Sequence, residues 1–433
     1  MPKTMSPTTK SPRAAACRPP SLSRPAALTF AALLPAALLQ ANLTAQANRA
    51  AQSTPARATP TKTDTRDVLV TASRIVVAPK TVLTDSALLI RDGKIAYVGN
   101  DIPAEAKANA RSVAFDGKTI SSGLVLAATT LGRDADLAEA AIAFTPDLRA
   151  SDAFNPWADQ LSVLPMLGVT SFGLMPSSRN VAGGVGSLAK PGAKQGRLVQ
   201  DELFVGFSLI ANARNQERDP TSLMGARQML DTAFNAARSG VQTNPELAVL
   251  REVMSGARRA FVHADTYAEL NAALDLSENY QFAPVLLGAR DAHKVLAKLA
   301  TRGAQVVLGT ISPTASQKQR ELPKKLAEAG VPFAFAGRAD QMRLTAAIAV
   351  RNGLDRATAI AAITRIPAEM LGVQDRVGSL RQGCSADFVV FEGDLLDLSA
   401  RHVATWIDGA PAASGHSANG HQAHSNSSAG SMR

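Results

Sequence analysis

From residue 123 to residue 370 the sequence alternates between short apolar runs and longer amphipathic ones, and this alternation limits the fold more than any other property of the chain. Strand-like runs rich in Val, Leu, Ile and Phe fall at 123–128, 169–175, 203–209, 259–263, 284–287, 305–308 and 331–336. Helix-period runs occupy 222–237, 266–275, 292–300 and 346–362. Such a succession predicts an α/β fold built from βα repeats. The span is close to the ~250 residues of a (β/α)8 barrel. Seven runs leave the eighth strand unplaced, so the expected barrel is distorted or interrupted. Residues 181–196 are Gly-rich with Lys190 and Lys194, but no G-K-[ST] follows at the spacing of a phosphate-binding loop. That composition predicts a mobile loop.

The first of these runs lies in KTISSGLVLAATTLG, residues 118–132. It reads as a buried strand that leaves a Gly turn and opens into a loop at Thr129 and Thr130. Ahead of it, 68–77, 87–90, 94–98 and 113–115 are short strand patterns separated by the turns Asp92-Gly93 and Asp116-Gly117. After Pro367 short strands return, ending in the 406–409 strand and turn. The expected organisation is a composite β-sandwich of 67–122 plus 371–410 around a barrel of 123–370.

The termini have a different character. Residues 1–25 are basic and rich in Pro and Ser, 26–39 are apolar with a break at Pro35, and Ala45-Gln46-Ala47 offers small residues for cleavage. This is the pattern of a secretory signal over 1–47, with cleavage before Asn48 and a periplasmic destination. The apolar run is short for a span of ~20 residues, and no Cys follows it, so contact with a membrane is expected only through the signal peptide during export. Residues 48–66 read as a flexible leader and 411–433, rich in Ser, Ala, Gly and His, as a disordered tail. His416, His421 and His424 in that tail are at most a weak metal buffer. Of the two cysteines, Cys17 falls in the signal and Cys384 in a turn-like stretch, so the mature chain has no internal disulfide. The formal charge is +10, of which five bases and no acids lie in 1–47; with aromatics at 4%, the chain lacks the stacking surface of a nucleic-acid binder.

Two stretches carry a resemblance. IRDGKIAYVG at 90–99, ahead of the first barrel strand, is similar to the opening sandwich of the metal-dependent amidohydrolases, and the run Gly378-Ser379-Leu380, Gly383, Ala386-Asp387-Phe388-Val389-Val390, Gly393-Asp394 resembles their closing sandwich, G-S-[LI]-x-x-G-K-x-A-D-[LF]-V-V-x-x-G-D. Cys384 stands where that pattern has Lys. Residues 145–156, TPDLRASDAFNP, and Val262-His263-Ala264-Asp265 point to the imidazolonepropionase-related group. The resemblance covers most of 66–409.

It implies a zinc ion at the barrel mouth, held by several histidines and an Asp on the last strand, that turns water into a nucleophile. Carried across, the pattern P-G-L-x-D-x-H-x-H puts Ala128 and Thr130 in the places of the first two histidines. His263 retains the fifth-strand ligand, Gly288 takes the sixth-strand position, and Arg338 falls at the last-strand Asp, with Asp340 two residues on. A cation within ~4 Å of a metal costs several kcal/mol even at an effective dielectric of ~20. Between 48 and 409 the histidines are His263, His293 and His402, too few for a binuclear site; His402 belongs to the sandwich and His293 to the surface. Asp147, Arg149, Asp152 and Asn155 cluster in the loop after the first barrel unit, either facing the mouth or capping helices and pairing locally. No G-x-S-x-G elbow occurs.

Two functions follow. The first is a secreted member of the family that has lost its metal site and binds a small molecule or an active paralogous subunit, with no cofactor. The second is a hydrolase of carbon–nitrogen bonds other than peptide bonds, using His263 and Asp340 around a reduced zinc site or none.

Overall fold

The computed structural model describes residues 67–102, 104–133, 136–214, 218–240 and 244–414. The expected signal, leader and the tail from 415 onward lie outside the described residues. Two sheets organise the rest.

The first sheet draws on both parts of the chain. Strands β1 (Val68–Ala78), β2 (Thr81–Arg91), β3 (Lys94–Gly99) and β4 (Arg111–Ser122) join β13 (Phe388–Glu392), β14 (Arg401–Ile407) and β15 (Ala410–Ser414) in the order β15-β14-β13-β4-β1-β2-β3. It is one continuous sheet that curls back on itself. Ile95 N donates to Cys384 O at 2.8 Å and Ala386 N to Gly93 O at 2.8 Å, which brings the β2–β3 hairpin against the segment leading into β13. Between the layers lie Ile75, Leu88, Ile95 and the stacked Phe388 and Trp406, centroids 5.2 Å apart. The Asp-Gly turn is there for a reason of backbone chemistry: Asp92 and Gly93 both have positive φ, +50° and +73°. Residues 411–414, expected in the tail, are instead the last strand, because their amides and carbonyls complete the edge beside β14.

The second sheet contains β5 (Leu124–Thr129), β6 (Val169–Leu174), β7 (Ala182–Lys190), β8 (Arg197–Ser208), β9 (Arg259–Ala264), β10 (Pro284–Gly288), β11 (Gln305–Leu308) and β12 (Phe333–Phe335), paired in chain order. All seven expected strands are present. The eighth is β7, and it corrects the reading of 181–196 as a mobile loop. All nine of its residues are buried, and it runs antiparallel to both neighbours, so the barrel is not a uniform βα repeat. Its glycines suggested a loop because Gly weakens strands. Here they permit close approach: a Cβ at Gly186 would collide with the Phe204 ring and come within 2.7 Å of Leu174 O. At Gly184, φ is +118° and a Cβ would collide with Leu148 O.

The barrel is nearly closed. Between β12 and β5 the chain after helix Arg356–Ala361 bridges the gap: Phe335 N donates to Ala362 O and Val125 N to Ile363 O, both at 3.0 Å. Alternation along the strands separates two apolar layers. Val125, Phe204, Phe261, Val285 and Val307 fill the interior, where Phe204 and Phe261 meet at 4.4 Å. Leu124, Leu126, Phe207 and Val262 pack outward against helices such as Leu223–Ser239, which Ser222 caps and Gly240 ends. Helix Tyr267–Tyr280 begins with a Thr266/Glu269 capping box. The expected helix over 346–362 is two helices, Met342–Arg351 and Arg356–Ala361, broken where Gly353 takes φ +93°. Among the described residues no helix is long and apolar enough to cross a membrane.

The aspartate of the closing motif has a definite task. Asp387 is buried beside Lys190 at the end of β7, 2.7 Å from its ammonium, and the same ammonium lies 2.7 Å from Asp408. Arg197 completes the group by pairing with Asp408. Burial pushes the Asp387 carboxyl up against the pull of Lys190. At Asp408 burial is outweighed by Lys190 and Arg197, and the carboxyl lies below its ordinary value.

Candidate functional site

The parallel strands deliver their C-terminal ends to one mouth, the end at which barrels of this kind bind ligands. Ala128, Thr129 and Thr130 leave β5, His263 stands near the end of β9, Gly288 ends β10, and Ala336 and Gly337 follow β12. Together they line a chamber of about 330 Å³. Met175 and Pro176 form another wall, held by Met175 N donating to Thr129 O at 2.8 Å. A second cavity, about 510 Å³, adjoins it and shares His263, Gly288, Leu308 and Gly309 with the chamber.

His263 has the same strand parity as the interior Phe261, so its imidazole faces inward. Burial holds it below the ordinary 6.5, against the opposing pull of Asp265 and Glu269. The ring is therefore neutral at pH 7, one nitrogen donating and one accepting. Ser208 on β8 is its register partner. That serine is 1% exposed, and its hydroxyl has no hydrogen-bond partner among the described residues. Ser208 was not identifiable from sequence, because nothing local reveals which β8 residue lies beside His263.

Gly288 decides how a metal could be held. Its φ is +86°, and a Cβ there would overlap Asp265 Oδ1 while lying 3.4 Å from His263 Nε2. A histidine at this position would have to displace the Asp265 carboxylate and hold a backbone conformation that L side chains rarely adopt. Ala128 and Thr130 contribute a methyl and a hydroxyl, neither a good zinc donor. Among the described residues no group of three or more His, Cys, Asp or Glu is gathered closely enough to hold a metal ion. Among the described residues, the side chains at this mouth do not fit the zinc centre that the resemblance implies.

Arg338 is placed differently from expectation. Its guanidinium does not enter the mouth; it is 74% exposed and makes a two-point pair with Asp340, Nη2 to Oδ2 2.7 Å and Nε to Oδ1 3.1 Å. The preceding Gly337 allows this, with φ +134° and the Arg338 amide donating to Thr310 Oγ1 at 3.2 Å. Asp340 is engaged by that pair and lines neither cavity.

The Asp147 cluster does not converge on His263. Arg149 pairs with Asp152 at 3.2 Å and reaches Glu202 at 4.0 Å. Both line a separate cavity of about 320 Å³ that shares Pro176 with the chamber. Asp147 is exposed, and Asn155 Oδ1 accepts from Trp157 N at 2.8 Å. His402 lies on β14 with its Nε2 2.8 Å from Thr405 Oγ1, and His293 sits in the turn Ala292–Lys294 outside both mouth cavities. Sequence reading assigned no site role to Asp265, quoted only within its strand-end stretch, or to Arg290; both line the second cavity and lie 3.6 Å apart, Oδ2 to Nε.

Comparison with known proteins agrees with this architecture. Residues 332–413 match the model of a family described as "Amidohydrolase family". Over 393 residues the chain is 26% identical to "Amidohydrolase tasK" of Hapsidospora irregularis, an alignment covering 74% of this chain and 39% of that protein. The chain thus spans well under half the length of that relative. An amidohydrolase from Thermotoga maritima superposes with a TM-score of 0.72 at 24% identity, over 80% of this chain and 100% of that one. A prolidase complexed with N-methylphosphonate-L-proline superposes with a TM-score of 0.51 at 15% identity, over 80% and 100% of the respective chains. The β-aspartyl dipeptidase from Fervidobacterium islandicum gives 0.50 at 10% identity, over 81% and 96%. The nearly closed eight-stranded barrel with its second sheet is thus a fold this chain shares with these solved structures, and residues 332–413 are similar to the amidohydrolase family model.

Proposed function

We propose that the protein is an amidohydrolase-type barrel whose mouth binds a small molecule without a metal centre, in the manner of an imidazolonepropionase-related member that has lost its ligands. The observation that carries this reading is Gly288: it supplies no side chain at the sixth-strand ligand position, and its φ of +86° disfavours one. Chemically the mouth is suited to recognition, with an apolar chamber, a neutral imidazole at its neck and polar groups beyond. Elemental analysis of protein purified in the presence of zinc tests it. Less than one-tenth of an equivalent of zinc per chain is expected; a stoichiometric, dialysis-resistant ion would overturn it.

A second reading rests on His263. A neutral, inward-facing imidazole with no protein hydrogen bond to its ring among the described residues is in the state required of a general base. On this reading the protein hydrolyses carbon–nitrogen bonds of cyclic amides or related small molecules, with Asp265 and not Asp340 beside the base. Turnover of hydantoin or lactam substrates that disappears in His263→Ala would establish it, and no turnover with or without added zinc would remove it.

Export belongs to the same proposal. Cleavage before Asn48 predicts that protein recovered from a periplasmic fraction begins at that residue, which N-terminal sequencing reads directly.

A further inference from the structure

The two cavities at the mouth differ in chemistry. The chamber is walled by Ala128, Met175, Pro176, Leu287, Val307 and Ala336, and among the described residues no charged side chain lines it. In the second cavity the charged residues are Asp265 and Arg290, accompanied by the hydroxyls of Thr310, Ser312 and Thr314. His263 borders both, with Gly288, Leu308 and Gly309, so a ligand that crosses from one to the other along this shared wall lies beside its ring.

Arg290 is an incompletely used donor. Its Nε is 3.6 Å from Asp265 Oδ2, beyond hydrogen-bond length, and its side chain is 62% exposed. No other ion pair or hydrogen bond of that guanidinium is found among the described residues. It also borders an adjoining cavity together with Lys294 and Lys318. Lys294 is neutralised by Asp291 at 2.9 Å; Lys318 has no ion pair among the described residues. Arg290 and Lys318 against Asp265 leave one positive charge in excess beside the mouth.

We propose that the mouth takes a small monoanionic acyl or amide compound, its apolar group in the chamber, its carbonyl at the His263 ring and its carboxylate on the Arg290 guanidinium. This rests on the reading of the mouth as a binding site. The guanidinium is planar and presents parallel donors, the geometry that matches a carboxylate. A phosphate dianion would exceed the single positive charge left over among the described residues beside the mouth. An uncharged amide would leave the guanidinium fork unused, and a free amino acid would bring its ammonium toward an uncharged, apolar chamber, where desolvation opposes it.

Calorimetry on the full chain tests the proposal with N-acetyl-L-leucine, its uncharged carboxamide, and the variants Arg290→Met and Arg338→Met. Histidine labelled with carbon-13 reports in parallel whether each probe perturbs the His263 resonance. Expected are an affinity for the carboxylate at least about tenfold above the amide, loss of that difference in Arg290→Met, and its retention in Arg338→Met, whose arginine lies outside both cavities. Equal affinity of the two probes with a shifted His263 signal would overturn the carboxylate contact while leaving the mouth a binding site. An undiminished preference in Arg290→Met would overturn the assignment of that residue. No perturbation of His263 by either probe at saturation would overturn the binding-site reading itself, and this proposal with it.

Discussion

Lys190 and Asp387 lie 2.7 Å apart with almost no exposure to solvent, at the junction between the barrel strand β7 and the seven-stranded sheet. The ion pair ties a strand of one sheet to the first residue before β13 of the other, across nearly two hundred positions of sequence. Removing one partner of a buried pair typically costs ~3–5 kcal/mol, because the other charge is left in a medium that cannot solvate it. Lys190→Met is expected to lose stability of this order in urea denaturation. The double variant Lys190→Met/Asp387→Leu should recover a substantial part, since no charge then remains stranded. A single variant as stable as the parent would show that the pair is not formed.

Gly186→Ala tests whether β7 is a packed strand. The new methyl meets the Phe204 ring and Leu174 O, so a loss of about 1–3 kcal/mol is expected from overpacking. Thermal unfolding of Gly186→Ala and of Gly186→Ala/Phe204→Leu gives the check: the second change should relieve part of the first. In a mobile loop, alanine would be neutral.

Protonation of His263 gives a signed expectation. Its folded value lies below the unfolded 6.5, so between the two the unfolded chain binds more protons and stability rises with pH. Acidification through this window therefore destabilises the parent, and His263→Gln should flatten that part of the curve. The carbon-bound proton resonance of the ring should titrate below 6.5.

Glu392 runs the other way in acid–base type but has the same slope. Its hydrogen bonds with Arg401 and Lys118 bring the carboxyl from 4.5 to about 2. Stability from these pairs is present above 4.5 and disappears as the pH falls toward 2. Because the group is exposed, added salt should weaken the effect. Denaturation of the parent and Glu392→Gln across this range, with and without salt, provides the measurement.

Gly288→Ala should destabilise the fold on two grounds, its φ of +86° and the collision with Asp265. Asp265→Gly in the same chain should restore the part due to collision and leave the part due to backbone conformation. A double-mutant cycle in urea separates the two.

Much of the architecture was legible because burial on both faces leaves a simple mark. The runs at 284–287 and 305–308 are almost wholly apolar, and they are strands for that reason. β7 left no such mark: its glycines answer to Phe204 and to the loop at Leu148, contacts distant in sequence. At the mouth, the placing of Ala128, Thr130 and Gly288 around one chamber was legible from their strands. What lies around them was not. Asp265 over Gly288, and Arg338 turned outward onto Asp340, depend on backbone directions at Gly288 and Gly337 that no local pattern announces.

The bridge made by Ala362 and Ile363 has a consequence for synthesis. A nascent chain that has reached only β12 has an unpaired main-chain edge on β5, and the N-terminal sheet still lacks β13, β14 and β15. Both bodies wait on the same late stretch, so neither can finish before the ribosome has released it. Exposed edges over that interval invite association with other chains. Truncation within the matched segment 332–413 would then yield aggregates, not a smaller soluble barrel.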